Sequence, residues 1–221
     1  MFLSFDKFVV SDAALRPHIS VALDFAGFFL PNATRIEDCQ TSSRWSECVV
    51  NAYHLCGMHV AKGSFDDWWP YSRCLYRKQY PAEECAGLNP LDANHTCTRD
   101  QFPGVMCAVS SNCTASQATS LDEAAIEQCV ADGTGLALLR KSFAKTTTFP
   151  RNPHGYTEPQ WIEFADGGAS LPSCANFSGA CEAAFDKTAC EDWDHCDSDA
   201  WAQHLAARAR AAINNATHHA A

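Results

Sequence analysis

The stretch Glu47-Cys48-Val49-Val50-Asn51-Ala52-Tyr53-His54-Leu55-Cys56, preceded by Cys39-Gln40, decides how the rest of the chain is read. Cys48, Ala52, Leu55, Cys56 and His59 recur at three- and four-residue spacings. Glu47 to Ala61 is therefore predicted to be a helix with one apolar face. Two cysteines on that face are natural anchors for cross-links. The chain holds thirteen in all, at 39, 48, 56, 74, 85, 97, 107, 113, 129, 174, 181, 190 and 196.

No two of these are three residues apart, so the chain has no CxxC. That removes the common zinc knuckle and the common dithiol redox motif together. A disulfide framework remains, which belongs in an oxidising compartment. Its connectivity stays open at this level, and the odd count leaves one thiol over. Five Asn-x-Ser/Thr acceptors, at Asn32, Asn94, Asn112, Asn176 and Asn215, point the same way and make these the candidate glycosylation sites. Secretory-pathway residence, lysosomal or extracellular, is the expectation. Met1 to Leu15 does not read as a leader: Asp6 and Lys7 interrupt its apolar run, and Phe2, Phe5, Phe8, Val9 and Ala13 form a helical stripe instead.

Outward from the central helix, Pro17 is expected to end that first stripe. His18 to Phe25 alternates, with Ile19, Val21, Leu23 and Phe25 on one side, and predicts a half-buried strand. Residues 31–45 are polar and turn-rich. Ser64 with Asp67 is a capping-box pattern opening a helix towards Tyr80, with Pro70 near its start and Trp68-Trp69 as packing residues. Residues 81–119 show little periodicity and four cysteines, and read as a disulfide-pinned insertion. Ser120 with Glu123 marks another helix start, running to Cys129, and Gly135 to Lys145 gives one more. Trp161 to Phe164 reads as a short strand before an Asp166-Gly167 hairpin turn. The tail from 172 is again cysteine-rich and ends in a helix from Ala200 to Asn214.

Cys39-Gln40 followed by Glu47-Cys48-x-x-Asn51-x-x-x-x-Cys56 resembles the signature of the gamma-interferon-inducible lysosomal thiol reductases. The second half matches at every defined position. Thr41 and Ser42 stand where that family has His-Gly, and two extra residues precede Glu47. Further similarity surrounds Cys74, Cys129 and the His154 to Gly167 segment. The resemblance implies an α/β, thioredoxin-like fold over 1–171 lacking its first strand, with a disulfide-rich helical insertion at 81–119. Residues 172–221 would be a cysteine-rich tail with a terminal helix.

By the same resemblance Cys39, Cys48, Cys56, Cys74 and Cys129, with Glu47 and Asn51, are signature positions expected to be structural. Pro159 is the candidate cis-proline facing the dithiol. The family reduces protein disulfides in acidic endosomes and lysosomes without a cofactor or metal. Its nucleophile is a low-pKa thiolate at a helix N-terminus. That dithiol and the strand delivering it would lie before Met1, so no catalytic residue is identifiable within the 221. Disulfide-bonded proteins would be substrates of a form carrying the CxxC. The other reading is a redox-inactive glycoprotein that binds partners through its cysteine-rich insertions.

Charge and patterning exclude other classes. Asp and Glu outnumber Lys and Arg 26 to 16, a formal charge of −10, which opposes a nucleic-acid surface. No run approaches the roughly 20 apolar residues of a membrane span; Val21 to Leu30 is short and holds Asp24. The Cys190 to Cys196 segment, with His195, matches no zinc spacing. His54 and His59 on the central helix are candidates for sensing lysosomal pH, with packing as the ordinary alternative. Oligomeric state is not legible.

Overall fold

The computed structural model describes residues 5–18, 21–25, 27–41, 46–78, 102–117, 120–146, 165–166, 169–170 and 199, and residues 202–203, 206–207, 209–211 and 213–214. The chain forms two compact units, Val21–Thr148 and a second built from Met1–Ser20 with Phe149–Ala221. Helices dominate the described residues.

Among the described residues of the first unit there are five α-helices: α1 (Ser46–Val60), α2 (Phe65–Lys78), α3 (Phe102–Ser116), α4 (Glu123–Ala131) and α5 (Thr134–Thr146). Helix α1 is the centre, touching each of the other four. Its sequence explains this position. Val49, Val50, Ala52, Tyr53, Leu55 and Cys56 are all buried, covering most of the helix circumference, and a helix that is apolar nearly all round must be enclosed. Helix α2 is one-sided instead: Trp68, Trp69, Tyr71, Ser72, Cys74 and Leu75 are buried, while Asp66 and Arg77 are exposed. Phe65 stacks on Trp69 at 5.2 Å and meets Trp68 edge-on at 5.3 Å, which assigns the tryptophan pair to packing.

Local chemistry sets the helix ends. Asp122, rather than the expected Ser120, caps α4, its carboxylate accepting from the Ala124 and Ala125 amides. Ser120 is drawn away by a stronger acceptor: its hydroxyl donates to Asp67 at 2.6 Å, linking the start of α4 to the start of α2. Gly133, at φ +89°, turns the chain from α4 into α5, a conformation that suits a residue without Cβ.

Among its described residues, 18 and 21–25, the predicted strand is not formed. His18 ends a single 3-10 turn (Arg16–His18), and residues 21–25 take no regular secondary structure and have no ladder partner among the described residues. Side chains of α5 supply the hydrogen bonds that a neighbouring strand would have given. The Phe25 amide donates to Ser142 Oγ at 2.6 Å, its carbonyl accepts from Thr146 Oγ1 at 3.0 Å, and Asp24 pairs with Lys145. Pairing begins one step later, where β1 (Phe28–Phe29) runs antiparallel to β2 (Cys39–Gln40), with Phe29 opposite Cys39. Residues 102–116 of the expected aperiodic insertion form α3. Its small and polar residues hide the period from a hydrophobic pattern, yet Met106, Val109, Ser110 and Cys113 share a buried face.

In the other unit, Asp6–Val10 form one π-helical turn, and Val9 and Leu15 are buried with Ala202, Ala206 and Ala209 of a C-terminal helix. Lys7 bonds Asp199 at 2.7 Å, and Arg210 donates from Nε to Asp12 at 3.1 Å. The described helical positions near the C-terminus, 199, 202–203, 206–207, 209–211 and 213–214, match the expected 200–214 helix and begin one residue before it, at Asp199. Around the expected Asp166-Gly167 turn, β3 (Ala165–Asp166) pairs antiparallel with β4 (Ala169–Ser170), with Asp166 opposite Ala169, while the expected strand at 161–164 lies outside the described residues.

Gly57 shows how closely α1 and α2 approach. A Cβ there would lie 2.5 Å from Tyr71 Cε1, and the Tyr71 ring is fully buried with its hydroxyl tied to Ser110 at 2.9 Å. Gly57→Ala is expected to cost about 1–3 kcal/mol in urea unfolding, the usual range for overpacking. Gly104→Ala in α3 meets nothing within 4 Å. It should instead stabilise by up to about 1 kcal/mol through helix propensity.

Candidate functional site

The cysteines singled out by the sequence lie in three bridges. Cys39–Cys48 joins β2 to the first turn of α1, Cys56–Cys129 joins α1 to α4, and Cys74–Cys113 joins α2 to α3. Sequence reading named five of these six residues and left their pairing open; Cys113, the partner of Cys74, carried no distinguishing signal. All six are buried, with Cys48, Cys56 and Cys113 fully so. Gly135 packs against the second bridge, its Cβ position 3.3 Å from Cys56 Sγ. Attack on a disulfide needs an approaching thiolate, so these buried bridges are shielded from exchange. Asn51 is half-buried in the second turn of α1, and Glu47 lies in its first turn.

Cys107 on α3 is the free thiol among the described residues, and it is partly accessible. Its surroundings oppose reactivity. Burial, then the Glu127 carboxylate beside it, push the thiol above its ordinary range, the reverse of what activates a nucleophilic cysteine. The same carboxylate accepts a 2.8 Å hydrogen bond from the Tyr53 hydroxyl. Burial and Glu127 hold the Tyr53 phenol protonated, and burial does the same for Tyr71 against the opposing bond from Ser110. Tyr53, Glu127 and Cys107 thus bring α1, α4 and α3 to one point. The sequence pattern missed this cluster because its members lie on three different helices.

His54, a candidate pH sensor, is buried against the Phe25 ring, 5.9 Å between centroids. Burial lowers its pKa from 6.5 to about 4, so it stays neutral across most of the endosomal range. His59 is exposed. Among the described residues no group of three His, Cys, Asp or Glu side chains could hold a metal, and no helix is long and apolar enough to cross a membrane. Pro159, Asn94, Asn176, Asn215 and the Cys190 to Cys196 segment lie outside the described residues. The acceptors Asn32 and Asn112 are both exposed, one in a turn and one on α3. Compared with protein-family models, curated proteins and solved structures, the chain matches none.

Two expectations follow. Removing bridges singly should cost most for Cys56–Cys129, which spans 73 residues, less for Cys74–Cys113 at 39, and least for Cys39–Cys48 at 9. Chain entropy puts these losses at about 4.5, 4 and 2.5 kcal/mol, to be read from urea midpoints of paired Cys→Ala variants. For His54, the folded state binds its proton more weakly than the unfolded state does. Its contribution is complete above pH 6.5 and is lost as pH falls towards 4. By pH 5 the loss is on the order of 2 kcal/mol. The gap in unfolding free energy between pH 7 and pH 5 should shrink by that amount in His54→Leu; an unchanged gap would contradict the assignment.

Proposed function

We propose that this chain is a disulfide-braced, redox-inactive glycoprotein of the secretory or endo-lysosomal pathway, acting as a binding module and bearing a thiol-reductase resemblance. One observation carries this reading. Of the seven described cysteines, six are committed to buried bridges, and the seventh, Cys107, is a thiol pushed towards its protonated form. Nothing in that set combines a low pKa with access, the two properties that thiol-disulfide exchange requires. Cross-linking of this density is itself the habit of oxidising compartments.

A second reading rests on the Glu47-Cys48-x-x-Asn51-x-x-x-x-Cys56 pattern. In it the protein is a thiol-disulfide oxidoreductase of the lysosomal type, built on a thioredoxin-like fold and reducing disulfide-bonded proteins. The Val21–Thr148 unit would then be its structural, substrate-facing part. The β3–β4 hairpin is the element among the described residues that favours the fold. The chemistry would need a dithiol beyond the seven described cysteines.

Insulin reduction separates the two. With a small-thiol donor at pH 5 and pH 7, the purified chain is expected to leave insulin soluble at the rate of the donor alone. Precipitation accelerated tenfold or more, and abolished by prior alkylation of the chain, would reject the redox-inactive reading in favour of the reductase.

A further inference from the structure

Two of the sugar acceptors occupy opposite structural settings. Asn32 follows Pro31 in an exposed turn, at φ +61°, and the Thr34 two residues on is exposed as well. The turn is held from outside the acceptor: the Thr34 and Arg35 amides donate to Asp38 Oδ2, and Arg140 donates to the Ala33 carbonyl at 2.6 Å. Asn112 is exposed too, but it lies within α3, where its side-chain oxygen accepts from Lys78. The middle residue of its acceptor triplet is Cys113, fully buried and bridged to Cys74 on α2. The third residue, Thr114, is only 8% exposed, and its hydroxyl donates to the carbonyls of Ser111 at 2.9 Å and Ser110 at 3.3 Å.

A glycosyltransferase reads this triplet through the Asn amide and the Ser or Thr hydroxyl together. On a helix, residues i and i+2 do not face the same way. The Thr114 hydroxyl is moreover occupied by the helix backbone. So Asn112 can be modified only while α3 is unformed, and the Cys74–Cys113 bridge is what ties α3 down.

We infer that closure of the Cys74–Cys113 bridge withholds Asn112 from glycosylation, whereas Asn32 remains an open acceptor before and after folding. The inference rests on the secretory-pathway reading. In bridge closure the two thiols lose two protons and two electrons to the disulfide of an oxidoreductase, which becomes a dithiol. In glycosylation a lipid-pyrophosphate oligosaccharide gives its sugar to Asn112 Nδ2: the anomeric C–O bond breaks, a C–N bond forms, and the amide proton leaves with the pyrophosphate. The relation runs one way. A sugar already on Asn112 would displace only the exposed Lys78 contact and leave the buried bridge free to close.

The test is site occupancy, with the full chain directed through the secretory pathway of cultured cells behind a cleavable leader. Asn32 and Asn112 peptides are quantified by mass spectrometry after enzymatic deglycosylation in heavy-oxygen water. Asn32 should be occupied throughout, with Asn112 at least fivefold lower in the unaltered chain. Cys74→Ala should raise Asn112 several-fold without changing Asn32. So should dithiothreitol added to cells making the unaltered chain, a measurement that does not depend on any variant folding. Asn112 occupancy that stays equal, high or low, across the three conditions while Asn32 is occupied overturns the inference alone. Asn32 bare in every condition overturns it together with the secretory reading.

Discussion

Every described α-helix of the Val21–Thr148 unit leans on α1, and α1 is held by sulfur at both ends of its buried face. Cys48 in its first turn is tied to β2, and Cys56, two turns further on, is tied to α4. Between these fixed points the helix presents Tyr53 to α4 and lays Gly57 flush against the Tyr71 ring of α2. The third bridge extends the same logic outward, binding α3 to α2 rather than to the centre. A small helical unit with a limited apolar core gains from such links because each removes conformations from the unfolded chain.

The polar groups within this bundle are as constrained as the apolar ones. The Tyr53 hydroxyl is bonded to Glu127 across α1 and α4, and the Tyr71 and Ser110 hydroxyls to each other across α2 and α3. Buried hydroxyls left without partners would cost free energy comparable to a lost hydrogen bond, so the pairs help fix which helix neighbours which. They also surround Cys107 with carboxylate and phenol rather than with cations. That environment favours the protonated form of the thiol.

Much of the helical layout was legible in the sequence, for reasons that residues make plain. Helix α1 announced itself through Cys48, Ala52, Leu55 and Cys56, and α5 through Leu136, Leu139 and Phe143, because helical spacing of apolar residues is a strong periodic signal. Helix α3 did not, since its buried face alternates Met106 and Val109 with Ser110, Cys113 and Thr114, and polar small residues erase the contrast. The alternation at 19–25 was real but non-committal. Whether such a pattern joins a sheet depends on a neighbour; here Ser142 and Thr146 of α5 bond the Phe25 backbone instead. The cysteine positions could be read, but their pairing could not, because a disulfide needs proximity in space and sequence supplies only separation. The Tyr53–Glu127–Cys107 meeting point is invisible for the same reason.

The clasp between the chain's two ends carries a consequence for how the protein is made. Lys7 meets Asp199 across 192 residues, and Arg210 meets Asp12 across 198, while Val9 and Leu15 are buried by alanines beyond position 200. None of those contacts exists until residues 199–210 have left the ribosome. The helical bundle, by contrast, draws only on residues up to 148. At roughly 5–20 residues per second, the fifty or so residues that follow give the bundle several seconds to assemble and cross-link before the clasp can form. During that interval the apolar stripe of Phe5, Phe8 and Val9 lacks its cover from the alanines beyond position 200, and it is a segment that a holding chaperone could shield.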